Sequence, residues 1–193
     1  MRLLFLSVLL LPFLSTTAFA EKKKGNYMTL FYGTATSSST SSVLDGASGS
    51  VMGGAFGLRS SDAIAWEFMV RKTNFSEKSV SFEMPLAGTV TQTSKIDALV
   101  IGVGMRWFFL SILNIHFGVD YSSASPNSTA TVSNPAYAAS VAAEQDASGL
   151  GLYYGGGLQI PLGGVDIFAD YTINAFAGDT SSNEISGGLR LNF

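Results

Sequence analysis

Cysteine is absent from the 193 residues, which removes disulfide frameworks and thiolate metal sites from an exported chain. Histidine occurs once, at His116, so any imidazole-dependent hydrolysis or acyl transfer must use that ring. One histidine and scattered carboxylates give no ligand spacing for zinc or calcium, and no cofactor is expected. Charge is scarce as well: Asp, Glu, Lys and Arg together make up 13%, against roughly 25% in ordinary soluble domains. A soluble protein covers its outside with lysine and glutamate, so a chain short of them hides its outside in lipid or associates. The net charge of -3 argues against a nucleic-acid partner. Helical periodicity is nearly missing too. The one apolar stretch long enough for a transmembrane helix, 100–119, carries Arg106, Asn114 and His116, each costly in hydrocarbon. Its Gly102 and Gly104 suit a strand beside a tight interior better than a helix.

What is present begins with targeting. Arg2, an apolar run over 3–14 and the small-residue site Ala18-Phe19-Ala20 follow the grammar of a cleavable secretory signal peptide. The expected division is therefore a signal peptide over 1–20 and one barrel domain over 21–193. The apolar run is shorter than the roughly 20 residues a spanning helix needs.

Beyond residue 20 the pattern alternates apolar and polar, with glycine, serine and asparagine as punctuation. Eight segments emerge, over 27–36, 50–59, 63–75, 95–108, 114–123, 149–160, 165–176 and 184–193. Most run near the 9 to 11 residues with which a tilted strand crosses the hydrocarbon layer. An even number closes a sheet without an edge. Long Ser/Thr/Asn/Gly-rich connections are expected over 37–49, 76–94 and 124–148, and short turns over 60–62, 109–113 and 161–164. Long outer loops alternating with short periplasmic turns mark barrels of the bacterial outer membrane. The expected fold is all-β, an eight-stranded antiparallel up-and-down transmembrane β-barrel.

Successive side chains in a strand point to opposite faces. One face is apolar throughout, as in Trp66, Phe68 and Val70, or Ile185, Leu189 and Leu191. The other mixes glycines with charges: Arg59, Glu67, Arg71, Arg106, His116, Asp120, Asp166, Asp170, Glu184 and Arg190. A secreted barrel that binds a ligand would turn the apolar set inward. The small polar face fits a cramped interior instead, and the ten residues are expected to form a polar network in the lumen. Aromatics fall at both ends of the segments: Trp107, Phe108, Phe109 and Phe193 at the periplasmic end, Tyr32, Tyr121 and Phe176 at the outer end. They resemble the girdles of a membrane barrel.

The last segment alternates Ile185, Leu189, Leu191 and Phe193 with Ser186, Gly188, Arg190 and Asn192. It resembles the closing strand of outer-membrane barrels, and with the eight segments the resemblance is to the OmpA/OmpX-type small barrels. The resemblance implies that Leu189, Leu191 and Phe193 are the signal read by the barrel-assembly machinery. Because the chain stops at Phe193, a peptidoglycan-binding domain of the OmpA type is expected to be absent, nearer to OmpX-like single barrels. The expected partners are outer-membrane lipids, the assembly machinery and host or surface ligands of the long loops. The leading functional expectation is a non-enzymatic surface barrel with a structural, protective or adhesive role. Two alternatives are a narrow passive pore and a lipid A-modifying enzyme using His116, which has only Asp120 at same-face spacing and no serine motif beside it.

Overall fold

The computed structural model describes residues 25–39, 45–85, 88–109, 111–132, 134, 141–144, 147–175 and 180–193. The signal peptide expected over 1–20 and the girdle position Phe176 lie outside them. Every regular element among the described residues is a strand. In chain order these are β1 (Tyr27–Ser39), β2 (Ser48–Arg59), β3 (Ile64–Phe75), β4 (Lys78–Met84), β5 (Gly88–Phe109), β6 (Leu113–Val132), β7 (Val141–Glu144), β8 (Ala147–Pro161), β9 (Val165–Ala175) and β10 (Thr180–Asn192). Strict alternation of Val, Ile, Leu, Phe and Tyr with small or polar residues drives this, since β-branched and aromatic side chains pack best on a pleated surface.

Eight of the strands close into a ring, in the order β1-β2-β3-β5-β6-β8-β9-β10, with β10 pairing back onto β1. Every neighbouring pair is antiparallel. The stagger can be followed by register. From Met28 the partners run through Phe56, Phe68, Val103, Val119, Leu152, Ala175 and Ser181, and the path returns to β1 at Ser38, ten residues further on. A shift of that size over eight strands tilts them by about 40° to the axis.

The faces sort as alternation requires. Leu30, Phe68, Ile101 and Leu152 point outward and are 61%, 52%, 55% and 58% exposed, along with a continuous belt of similar side chains around the ring. An apolar surface that goes all the way round is far beyond what a soluble monomer exposes, and it matches the lipid-facing band of a membrane barrel. The connections at one end are tight. In the 162–164 turn Gly163 takes φ +83°, a conformation costly for any side chain, while the Leu162 N–H donates to the Val165 carbonyl at 2.8 Å.

The structure corrects the expected loops over 76–94 and 124–148. β4 and the start of β5, which begins at Gly88 rather than at residue 95, together fill most of the first. β6 continues to Val132 and is followed by β7. Pairings Lys78↔Ser94 to Met84↔Gly88, Val90↔Val132 and Asn127↔Glu144 assemble a four-stranded antiparallel sheet, β4-β5-β6-β7, that rises past the ring at its outer end. The physical reason is that Ser and Thr, read from the sequence as loop, occupy one face here. Ser79 Oγ bonds Thr93 Oγ1 at 2.8 Å, Ser81 Oγ bonds Thr91 Oγ1 at 2.9 Å, and Thr89 donates to Glu83 at 2.6 Å. The opposite face carries Val80, Phe82, Met84 and Val90, which is strand alternation with threonine in its favoured setting.

Candidate functional site

Among the described residues two places hold the polar chemistry, the barrel interior and the outer sheet. Inside, inward positions on six ring strands bring charged side chains into tiers. In the outer tier Arg71 on β3 reaches Asp120 on β6 with Nη2 at 3.0 Å and Glu184 on β10 with Nη1 at 3.3 Å. Glu184 also accepts from Thr73 at 3.5 Å and Ser182 at 3.4 Å, and the Asn174 amide donates to Ser182 at 3.1 Å. All of these side chains are buried.

The middle tier turns on Arg106 of β5. Its Nε meets Glu67 at 2.8 Å and its Nη1 meets Asp170 at 2.8 Å. Asn114 accepts from the same Nη1 and donates to Asp170 at 3.2 Å. Tyr27 Oη donates to Glu67 at 2.7 Å. His116 bonds Thr172 through Nε2 at 2.9 Å and Asn114 through Nδ1 at 3.4 Å. Both of its ring nitrogens are therefore engaged by neutral partners.

The periplasmic tier is held by a different chemistry. Arg190 is fully buried, bonded to Gln159, and lies 4.0 Å from Asp166. Its guanidinium carbon stands 5.0 to 5.2 Å from the ring centres of Tyr27, Phe108 and Phe168, so cation–π attraction adds to that of the carboxylate. Arg59 stacks over Phe108 at 4.5 Å and donates to the Asp62 carbonyl at 3.3 Å, apart from the carboxylates of the other tiers. Phe108 corrects the expected girdle: it points inward, edge-on to Tyr27 at 6.1 Å. Trp107 and Phe109, its neighbours, pack against each other with centroids 4.7 Å apart, and Tyr32 and Tyr121 face outward at the other end.

Between the outer and middle tiers lies Tyr153, its ring laid across Gly104 and Gly118. A Cβ at Gly118 would come within 2.6 Å of the Tyr153 ring carbon that bears the hydroxyl, so glycine there is what lets the ring cross the lumen. A cavity of about 30 Å³ lies beside Glu67, Arg71, Arg106 and His116, space for about one water. Ten inward residues were singled out by charge; the structure joins Arg71, Asp120 and Glu184 in one cluster and Arg106, Glu67, Asp170 and His116 in another. The neutral members Tyr27, Asn114, Thr172, Gln159 and Ser182 were missed. Their signal was inward parity, which charge alone overlooks.

A sequence profile described as outer membrane protein β-barrel domain matches residues 6–193. Among curated proteins no sequence matches. Of solved structures, the attachment invasion locus protein Ail of Yersinia pestis, in complex with the heparin analogue sucrose octasulfate, superposes with TM-score 0.50 at 12% identity, covering 88% of this chain and 99% of that one. Neisserial surface protein A gives 0.46 at 20% identity over 88% and 97%. The N-terminal barrel of Pseudomonas aeruginosa OprF gives 0.40 at 11% over 88% and 98%. At such identities the likeness is one of fold.

Proposed function

Because the chain belongs to the outer membrane protein β-barrel family and resides in the bacterial outer membrane, we propose that it is a non-enzymatic surface barrel that engages partners through its protruding β4-β5-β6-β7 sheet. The observation that carries this reading is the sheet itself. β4 pairs only with β5, and β7 only with β6, among the described residues, so both edges offer unpaired backbone N–H and C=O groups to the outside. Lys78 and Pro85 bracket the β4 edge, a guard against indiscriminate pairing. Between them Val80 and Phe82 alternate with Ser79 and Ser81, a template for strand addition by an extended peptide.

The interior supports the same reading by offering little. Arg71 and Arg106 are each paired with two carboxylates across the lumen, His116 is enclosed, and the cavity beside them fits about one water. Ail was captured with a sulfated sugar, a ligand that wants a cationic surface. Here the outer end carries Asp45, Glu77, Glu83 and Asp97 against few lysines, of which Lys78 is spent on the Asp45 carbonyl and Lys95 on Asp97 at 3.7 Å. A peptide strand suits this surface better than a polyanion.

The test displays the chain on a non-adherent diderm host and measures attachment to host-cell monolayers. The double change Val80→Pro and Phe82→Pro disrupts β4 as an edge strand without touching the ring, and should cut attachment several-fold while heat-modifiable gel migration stays normal. Equal attachment by both forms would overturn the proposal.

A further inference from the structure

Most outward positions of the apolar belt carry a bulky side chain; Gly54 on β2 is one of the few small ones, with Gly156, Ala169 and Gly187. It stands in the register row Leu30–Gly54–Val70–Ile101, facing lipid. The backbone does not demand glycine there. Its φ is not among the positive ones, and an added Cβ would meet the Thr29 carbonyl at 3.0 Å and Leu30 Cδ2 at 3.4 Å, a tight fit that small shifts relieve. Over Gly54 opens an apolar crevice of about 560 Å³ walled by Met28, Leu30, Phe56, Phe68, Val70 and Ile101, which a larger side chain at this position would enter.

One row further out the register reads Tyr32, Met52, Lys72 and Leu99, and the next reads Thr34, Ser50, Asn74 and Asp97. Lys72 therefore stands on the lipid-facing wall where the belt gives way to polar residues, two positions and about 7 Å along β3 from Val70. It is exposed and forms no ion pair among the described residues; Asp97, the carboxylate on its face, is held by Lys95. A lone outward ammonium at this depth is costly unless it meets an anion at the headgroup level.

We propose that this wall holds one phosphate-bearing lipid of the outer leaflet, with an acyl chain in the Gly54 crevice and a phosphate on Lys72. A second copy of the barrel is a poorer occupant. Two barrels share one up direction in the membrane, so a two-fold interface centred on this crevice would set the two Lys72 ammoniums at one height beside each other. A neutral lipid would fill the crevice and leave the charge unmet.

Native mass spectrometry of the folded full chain in neutral detergent, titrated with diphosphoryl lipid A or with its dephosphorylated form, tests this. The wild type should retain one phosphorylated lipid. Lys72→Gln should weaken retention by about five-fold, the worth of one cation at an anionic lipid surface, and should bind both lipid forms alike. Gly54→Leu should weaken both forms. Gly156→Leu makes the same change at an outward glycine across the ring, where an added Cβ meets a carbonyl at the same 3.0 Å, and should leave retention intact. Wild-type preference for phosphate that survives Lys72→Gln would overturn the proposal, as would undiminished retention in a folded Gly54→Leu chain. Heat-modifiable migration reports folding of each variant, and the Lys72 arm stands alone if Gly54→Leu does not fold.

Discussion

Arg106 shows how one residue's burial sets what its removal does. Its guanidinium bridges Glu67 and Asp170, both buried, where an uncompensated carboxylate is far more expensive than in water. Arg106→Leu strands both and should lower unfolding free energy by about 3–5 kcal/mol, read as a shifted urea midpoint in lipid vesicles. Adding Glu67→Gln and Asp170→Asn should restore part of the loss; an unmoved midpoint in the single variant would show that the bridge is idle. His116 makes the milder case. Its bonds to Thr172 and Asn114 are worth about 1 kcal/mol each on deletion, and His116→Ala should leave the lipid A of the host cell unchanged by mass spectrometry. A change in those spectra would overturn the non-enzymatic reading.

At the scale of the strand, the side of the pleat decides the outcome. Val103 faces outward in the middle of the belt, so Val103→Arg should cost about 2–4 kcal/mol, whereas Ser81→Arg on the exposed outer sheet should fall within about 0.5 kcal/mol. Equal effects in vesicle unfolding would contradict the assigned faces. The C-terminal strand yields a separate prediction. Phe193 donates its N–H to Asn26 beside the β10–β1 closure and packs near Phe56 with centroids 6.3 Å apart. If Leu189, Leu191 and Phe193 form the assembly signal, Phe193→Ala should lower the surface level while the detergent-refolded protein still closes. The eight ring strands were legible because period-two alternation survives in a single sequence: Ile167, Ala169 and Tyr171 could face only one way. β4 and the outer halves of β5 and β6 were not, because Ser79, Ser81, Thr91 and Thr93 share their composition with loops although Val80, Phe82 and Val90 alternate between them. Which charges pair was hidden as well, since Arg71 and Glu184 lie 113 positions apart and only the ring's stagger sets them face to face.

For the whole molecule, a closed cylinder of eight strands leaves an interior that side chains can fill, and here they do. Arg71 with its carboxylates, the Tyr153 ring and Arg106 with its carboxylates succeed one another along the axis, with a cavity of about 30 Å³ beside them. A barrel filled in this way fits the proposed role, in which partners are met at the lipid-facing wall and the outer sheet. The most direct measurement is the single-channel current of the folded protein in a planar lipid bilayer. No conductance steps above the bare bilayer are predicted at moderate voltage; regular steps that disappear when the protein is omitted would contradict a sealed interior.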